Sequence, residues 1–404
     1  MPARPNEAEL EEFLTRAVSQ VVVRDELAAL LRSGERRLRI KQGFDPTRPN
    51  LHLGHAVPLR KLRRLAEWGH EIVLIIGDYT TQIGDPTDRD LTRPMMDHDE
   101  VLANARTYQE QFHRIVPREN TRVVYQTEWY GPFTLKDTFR LASRFTVQQM
   151  LAREEFRKRQ AGGTPIPIKD LLYPLLQAYD SVAVEADVEV GGTDQLFNIL
   201  AGRELMADRG MRPQQVFITE LLEGTDGEKM SKTKPATSIW LVDEPAEVFG
   251  KVMSIADRLM PHYYEWGTEL PLREVRATLD ALGRGDLHPR EAKERLARRI
   301  VTELHSPAAA DEAAEAFARQ FREGHAPADV PVVSVTRDGE QRVAIVDLLV
   351  RARAAASKGA ARRLVQQRAV RVDDVLADET TTVATTGECL VRYGPRSFVR
   401  VRWS

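Results

Sequence analysis

Two histidines three residues apart, in the run His52-Leu53-Gly54-His55, follow a strand-like segment and the turn Phe44-Asp45-Pro46-Thr47, where a helix is about to begin. Residues at i and i+3 of a helix share a face, so the two imidazoles would point at one target. A helix start adds unpaired N–H groups and the positive end of the helix dipole, and with Thr47 alongside, the group suits a phosphate chain. Gly54, lacking a Cβ, would let a flat base approach the backbone. On its own the pair is explained equally well as solvated or core histidines, and as a zinc site it lacks further ligands. A second run, Lys229-Met230-Ser231-Lys232-Thr233, comes just after Glu223-Gly224-Thr225-Asp226-Gly227, a polar stretch with the makeup of a mobile loop. Two ammonium groups on such a loop would meet the charge of a departing pyrophosphate when the loop folds down. Taken alone, an exposed basic loop is the simpler account.

A third stretch, Leu172-Tyr173-Pro174-Leu175-Leu176-Gln177-Ala178-Tyr179-Asp180, precedes Gly191-Gly192-Thr193-Asp194-Gln195. Tyr173, Gln177 and Asp180 fall at i, i+4 and i+7, so a helix would present their polar ends along one face toward a common pocket. Plain solvent exposure stays open, because Leu172, Leu176 and Val182 do not define a clean opposite face.

These groups need a scaffold. The pattern predicts an N-terminal amphipathic helix containing Leu14, Val21 and Leu27 to Leu31. A strand from Leu38 to Gly43 follows, then a helix from about Gly54 with Leu59, Leu62 and Leu65 at helical spacing, stopped by Gly69, and a strand from Ile72 to Ile76. A polar helix from about Asp97 to Ile115, a strand at Val123 to Tyr125 and helices after Phe133 continue the alternation. The economical architecture is α/β, a Rossmann-like doubly wound parallel sheet with ligands at the strand ends. Past Glu244 the β-like runs stop, and a helical stretch extends to about Phe321. Within it Pro289 to His305 reads as one helix, with Leu296, Ile300 and Leu304 as a stripe and Arg298 and Arg299 opposite. We therefore expect a catalytic domain over 1–244, a helical domain over 245–323, a linker over 324–341 and a small α+β domain over 342–404.

Composition narrows the class. The 404 residues are 42% hydrophobic, enough for more than one core, and no apolar run reaches the ~18 to 20 residues of a membrane helix. The acidic Met1 to Phe13 carries no export signal, so a cytoplasmic location is expected. Cys389 is the single cysteine, which excludes an intrachain disulfide and a thiolate zinc cluster. The net charge of −2 hides an asymmetry: residues 342–404 hold twelve Lys plus Arg against six Asp plus Glu, a net of +6, leaving −8 for the remainder. A basic module for a polyanion and a merely solvated surface both fit that split. In the tail Ser357 is a candidate N-cap, and Lys358, Arg362 and Arg363 would line one helical face. The strand Phe398 to Trp403 would turn Arg400 and Arg402 outward.

The two signatures, in this order, resemble those of the class I aminoacyl-tRNA synthetases. Gly43-Phe44-Asp45-Pro46-Thr47 before His52-Leu53-Gly54-His55, with Ile83-Gly84-Asp85-Pro86 and Lys229 to Thr233, is similar to the bacterial tyrosyl branch over nearly the whole chain. The tail run Ala355 to Val372 is similar to a small RNA-binding module shared with a ribosomal protein and pseudouridine synthases. The resemblance implies an enzyme that activates L-tyrosine with ATP, releases pyrophosphate and transfers tyrosine to the 3′ end of tRNA(Tyr). It implies that Tyr173, Gln177 and Asp85 hold the α-ammonium, that Gln195 lies near the carboxylate, and that Asp180 accepts a hydrogen bond from the phenol. Asp45 belongs near the substrate. Asp194 and Gly192 would contact the ribose, and His55, Gly43 and Gly54 the nucleotide. His52 and Thr47 would stabilise the phosphates in the transition state, and Lys229 and Lys232, with Met230 and Ser231 between them, the departing pyrophosphate. Lys358, Arg362 and Arg363 would touch RNA, as would Arg298 and Arg299 from the anticodon-side helices.

Two positions depart from the common pattern. Lys41, a candidate tyrosine-binding residue, stands where many tyrosyl enzymes carry a phenol-reading tyrosine, marking a second bacterial branch with lysine there and leaving Asp180 as the main phenol reader. In Asp85-Pro86-Thr87-Asp88-Arg89, Thr87 and Asp88 follow the proline where a serine-glycine pair is often found. The reaction needs no general base, since a carboxylate already ionised attacks the α-phosphorus in line; rate comes from alignment and placed charge. Mg²⁺ is expected with the ATP phosphates, with no protein-held metal and no zinc. A homodimer is implied. The rival readings are a tryptophanyl synthetase, which would not need the stripe on Tyr173, Gln177 and Asp180, and a non-catalytic RNA-binding scaffold of the same shape, against which the intact His52, His55, Lys229 and Lys232 speak.

Overall fold

The computed structural model describes residues 2–85, 96–232, 234–322, 330–337, 339–394 and 397–403, with side chains to residue 319 in the third of these segments. Pro86 to Arg89, Thr233 and the first part of the expected linker, 324–329, lie outside the described residues. The chain divides into two compact units, Met1–Ala314 and Glu315–Ser404.

The first unit is built on a six-stranded sheet. Helix α1 (Glu7–Thr15) is capped by a reciprocal Asn6–Glu9 box and leads into strand β1 (Val18–Val22) and helix α2 (Arg24–Ser33). Then come β2 (Arg39–Phe44), α3 (Leu53–Glu67), β3 (Glu71–Ile76), the single turn α4 (Thr80–Ile83), α5 (His98–Phe112) and β4 (Thr121–Tyr125). Four short helices α6 to α9 (Thr127–Tyr130, Leu135–Ala142, Val147–Leu151, Glu154–Ala161) precede the long α10 (Ile168–Ala183), β5 (Val188–Gly192), α11 (Leu196–Asp208) and β6 (Gln215–Thr219). The strand order is β1-β6-β5-β2-β3-β4, all parallel except β1, which runs antiparallel along β6.

Both faces of this sheet are covered, so its central strands read as continuous apolar runs: Ile72 to Ile76 are all buried. Leu59, Leu62 and Leu65 put one stripe of α3 against the sheet, each contributing ~2 kcal/mol of burial. Gly69, at φ +89°, turns the chain from α3 into β3, a conformation an L side chain strains to adopt. The expected single N-terminal helix is instead two helices with β1 between them. Val21 belongs to the strand, where Val18 faces Thr219 and Val21 faces Phe217 across the sheet edge. The β-branched run Val21 to Val23 favours that pairing over helix.

Helices α12 (Pro245–Ser254), α13 (Met260–Trp266), α14 (Leu272–Arg284), α15 (Pro289–Leu304) and α16 (Pro307–Arg322) follow. The expected division at 244 does not appear as a separate body, since α12 to α15 pack within the same compact unit as the sheet. Arginines join the two parts: the Arg16 guanidinium donates to the carbonyls of Glu265, Thr268 and Leu270, and Arg60 to those of Trp266 and Gly267. No described helix is long and apolar enough to cross a membrane.

The second unit contains β7 (Val332–Val335), β8 (Arg342–Ala344), α17 (Ile345–Arg351), α18 (Lys358–Gln366), β9 (Val370–Val372), β10 (Val375–Leu376), β11 (Thr382–Ala384), β12 (Glu388–Tyr393) and β13 (Phe398–Trp403). Its main sheet runs β10-β9-β12-β13-β7, with β8 and β11 as a separate pair, around a core that includes Ile345, Leu348, Leu349, Val391 and Val401. The expected linker 324–341 therefore overlaps this domain: its Val-rich end is β7, paired in parallel with β13 from Val332 opposite Arg400 to Val335 opposite Trp403.

Candidate active site

One cavity opens where β2, β3 and β5 end, the position at which a doubly wound sheet leaves space for ligands. Its walls come from every part of the chain the sequence singled out: Gly43, Asp45 and Thr47 after β2, His52, Gly54 and His55 at the start of α3, and Asp85 after α4. Tyr173, Gln177 and Asp180 reach it from α10, Gly192, Asp194 and Gln195 from the end of β5, and Lys229 to Lys232 from the loop after β6. Of the residues proposed to hold small-molecule substrate, only Lys41 does not line it.

The phosphate-facing side ties the first signature through backbone to the segment that follows the second. The Leu53 N–H donates to the Ile239 carbonyl at 2.7 Å and the Leu241 N–H to the Leu51 carbonyl at 2.9 Å. The Leu53 N–H is thus occupied rather than free for an anion, which narrows the helix-end contribution expected from sequence. The His52 N–H donates to His55 Nδ1 at 3.1 Å, which leaves the His55 proton on Nε2. Burial, then the neighbouring Lys232 and Lys229, pushes the His52 imidazole down to about 3, and burial likewise holds His55 well below the usual range. At neutral pH both are uncharged hydrogen-bond donors, and the lysines carry the positive charge. The space a Cβ at Gly54 would take is filled by the His52 ring at 3.0 Å, so glycine serves the packing of the histidine pair as well as any incoming base.

The loop carrying the lysines is folded against the protein. Met230 is buried, its N–H donating to the Leu222 carbonyl, and the Ser238 hydroxyl donates to the Ser231 carbonyl. Tyr263 on α13 donates to the Glu223 carbonyl at the loop base, at 2.7 Å. The Lys229 ammonium pairs with Asp194 at 2.6 Å, and Lys232 donates to the Asp45 carbonyl at 3.0 Å while resting over the Tyr108 ring.

The other end of the cavity is a network of carboxylates and amides. The Tyr173 hydroxyl donates to Asp45 Oδ2 at 2.8 Å and the Thr80 hydroxyl to Oδ1 at 2.7 Å. Burial raises Asp45 to about 7 against the pull of Thr80. A Cβ on Gly77 would lie 2.1 Å from Asp45 Oδ1, so only glycine lets Asp45 take this position. Gln195 donates to Asp85 at 3.0 Å, and Arg153 lies 3.8 Å from the same carboxylate. Asp180 is buried deepest: Gln126 donates to Oδ2 at 2.8 Å, and Trp129 and Tyr130 approach Oδ1 at 3.1 and 3.3 Å. Its carboxyl is pushed up to about 7 by burial, against the nearby Lys41 charge.

Sequence reasoning missed Gln42, Thr80, Gln126 and Glu189, all of which line the cavity. Gln126 follows β4 directly, and the ends of parallel strands are where such residues collect. Glu189 interrupts the apolar strand Val188–Gly192, and a charge inside a central strand was a usable signal.

In the second unit Ser357 caps α18 as expected, accepting from the Ala360 N–H at 3.2 Å. Lys358, Arg362 and Arg363 are exposed on that helix, with Lys358 paired to Asp347 at 2.6 Å. A hollow between the turn after α18, β9 and β12 gathers Arg368, Arg371 and Arg392, a cluster not singled out from sequence. Arg298 and Arg299, expected to reach tRNA, are engaged by Asp311 and Glu303.

Comparison with known proteins agrees with this arrangement. Residues 32–322 match the family described as class I tRNA synthetases for W and Y, and residues 321–392 match a tyrosine–tRNA ligase SYY-like C-terminal domain. A tyrosine–tRNA ligase of Dehalococcoides mccartyi is 46% identical over 97% of this chain and 99% of its own length. One of Thermotoga maritima is 44% identical over 96% of each. The fold is shared with the tyrosyl-tRNA synthetase of Archaeoglobus fulgidus complexed with L-tyrosine, at a TM-score of 0.62 and 21% identity over 76% of this chain and all of that one.

Proposed function

Since the chain belongs to the bacterial tyrosine–tRNA ligases of the class I aminoacyl-tRNA synthetases, which activate L-tyrosine with ATP and charge tRNA(Tyr), we propose how its residues divide that work. The observation that carries the reading is that one cavity brings His52, His55, Lys229 and Lys232 together with Tyr173, Gln177 and Asp180.

Tyrosine enters with its phenol toward Asp180, whose Oδ2 accepts one bond from Gln126 and has capacity for another. Its ammonium lies among Tyr173, Gln177 and Asp85, with Asp45 held behind Tyr173. Gln195 directs the carboxylate. ATP lies across Gly43, Gly54 and Gly192, with its ribose at Asp194. The tyrosine carboxylate attacks the α-phosphorus, forming a C–O–P linkage as the bond to pyrophosphate breaks. Thr47 and the neutral His52 and His55 donate to phosphate oxygens, while Lys229 and Lys232, with Met230 and Ser231 shaping the loop, neutralise the leaving group. Lys229 exchanges its partner in the process: the ribose takes Asp194 and the phosphates take the ammonium. Mg²⁺ arrives with the ATP phosphates as part of the substrate. ATP–pyrophosphate exchange supplied in turn with L-tyrosine, L-tryptophan and L-phenylalanine should proceed with tyrosine alone. Exchange with tryptophan would overturn the pocket assignment, and none with any of the three would favour a scaffold.

We assign tRNA contact in the second unit to Lys358, Arg362 and Arg363 together with the hollow of Arg368, Arg371 and Arg392. Replacing Arg368 and Arg371 by alanine should weaken tRNA binding about tenfold at low salt and flatten its salt dependence by one to two phosphates' worth, with adenylate formation unchanged. An unaltered salt slope would remove the hollow from the interface.

The homodimer is supported by apolar side chains left exposed near α7: Leu135 and Phe139, one turn apart, with Val147 and Ile168. Light scattering should give twice the chain mass, falling to one chain for Phe139→Asp; a monomeric native protein would refute the assignment. We place the enzyme in the cytoplasm, where tRNA and ATP are found.

A further inference from the structure

Lys41 and Glu189 are directly paired residues on the adjacent parallel strands β2 and β5, 0% and 2% exposed, in the middle of the sheet. Their charged ends meet at 3.0 Å. The Lys41 ammonium uses all three of its protons, on Glu189, on the Gln177 carbonyl at 3.1 Å and on the Ser181 hydroxyl at 2.8 Å. Glu189 is equally saturated. Oε1 takes Lys41 and the Gln177 Nε2 at 3.2 Å; Oε2 takes the Ser181 hydroxyl at 3.2 Å and the Gln214 Nε2 at 2.6 Å. A buried pair this fully satisfied is costly to break on one side only.

The consequence falls on Gln177. Its amide has two ends of opposite hydrogen-bonding sense, and an ionised carboxylate accepts bonds only. Glu189 therefore fixes Nε2 on its own side and turns Oε1 away from it, where the buried Asn198 donates to it at 2.8 Å. An amide turned the other way would present N–H groups to an arriving ammonium, like against like. Lys41, at 3.0 Å, holds Glu189 in place.

The geometry points to Lys41 and Glu189 as positioning residues for tyrosine recognition: an ion pair behind the cavity that holds the Gln177 amide with its oxygen toward the substrate's α-ammonium. Lys41 is thus neither a phenol contact nor a neutral bystander in the position where a tyrosine is common. The inference rests on the reading that Gln177 contacts the ammonium, and the experiment separates the two.

Competition against tyrosine in ATP–pyrophosphate exchange would use two probes. Tyrosinol keeps the ammonium, and 3-(4-hydroxyphenyl)propionate lacks it. In Glu189→Gln, which keeps the side-chain shape, tyrosinol should weaken about tenfold, the size of one lost charge-assisted bond, while the propionate and the KM for ATP hold. Lys41→Met, which also removes the charge that lowers the Asp180 carboxyl, should weaken both probes but tyrosinol by about tenfold more, and the double variant, with no charge left unpaired, should recover most of that extra loss. Gln177→Ala is the control. If it leaves tyrosinol binding intact, the ammonium reading of Gln177 fails. If it weakens tyrosinol while Glu189→Gln and Lys41→Met do not, the positioning pair alone is refuted. Equal weakening of both probes in the single variants, with no recovery in the double, would show a role in folding only. Circular dichroism melts of each variant identify any that are unfolded, and the double variant still decides the question if Lys41→Met alone is among them.

Discussion

Lys232→Met should lower the rate of tyrosyl-adenylate formation by about 10³-fold while leaving the KM for tyrosine unchanged. The Lys232 ammonium is already at the cavity wall, 3.0 Å from the Asp45 carbonyl and over the Tyr108 ring, so little rearrangement is needed before it can meet phosphate charge. The histidines cannot substitute for it, because burial keeps His52 and His55 neutral. Removing one preorganised group aimed at developing charge costs roughly 10²- to 10³-fold, and here the group removed is a full cation in a site shielded from water. Methionine keeps the length of the side chain while removing the ammonium that rests over Tyr108, which separates charge from bulk. Lys229→Met should cost less, since Lys229 must first leave Asp194 and its removal frees that carboxylate for the ribose. Single-turnover adenylate formation measures both. A Lys232→Met enzyme with native rate, or one whose tyrosine KM rises in step with the lost rate, would remove Lys232 from the transition state.

The parts of the molecule that were legible in the sequence are those whose signal is local. The β2–α3–β3 unit declared itself through Leu59, Leu62 and Leu65 at helical spacing and the apolar run Ile72 to Ile76, and the signature residues lie in contiguous runs. Strand β1 was illegible for the opposite reason: what makes it a strand is β6, some two hundred residues away, and without that partner Val21 fits a helical stripe between Leu14 and Leu27. The same is true of β7, whose four residues look like linker until β13 is beside them. Within the site, Thr80 is a single residue at the start of α4 and Gln126 one at the end of β4. Their meaning exists only in three dimensions, where the Thr80 N–H donates to Gln126 Oε1 and so fixes which end of that amide faces Asp180. Lys41 was visible as a departure, but only the register that sets it opposite Glu189 explains it.

Asp180→Asn should reduce kcat/KM for tyrosine by about 10³-fold and leave that for phenylalanine nearly unchanged, collapsing the preference between them. A site built to bond a hydroxyl rejects the analogue lacking it by about 10⁴ to 10⁵, tyrosyl enzymes being themselves the standard case of that magnitude. On the proposed reading the rejection traces to a carboxylate held by donors on both oxygens, Gln126 at one and Trp129 at the other, with the Tyr130 hydroxyl, which donates to the Leu176 carbonyl, beside the second. Asparagine keeps the shape but must turn an NH₂ toward one set of donors, so the phenol loses its acceptor and a neighbour loses its partner. The pH dependence has a definite sign. Burial raises Asp180 and Asp45 to about 7, so both carboxyls gain protons as pH falls through that value, and a protonated Asp180 no longer offers a free acceptor to the phenol. The native kcat/KM for tyrosine should therefore decline below about pH 7, most steeply where both carboxyls protonate. Phenylalanine, which asks nothing of Asp180, should follow only the part due to Asp45. A profile for tyrosine that stays flat from pH 8 down to 5.5, or identical profiles for the two amino acids, would show that Asp180 does not read the phenol as an ionised acceptor.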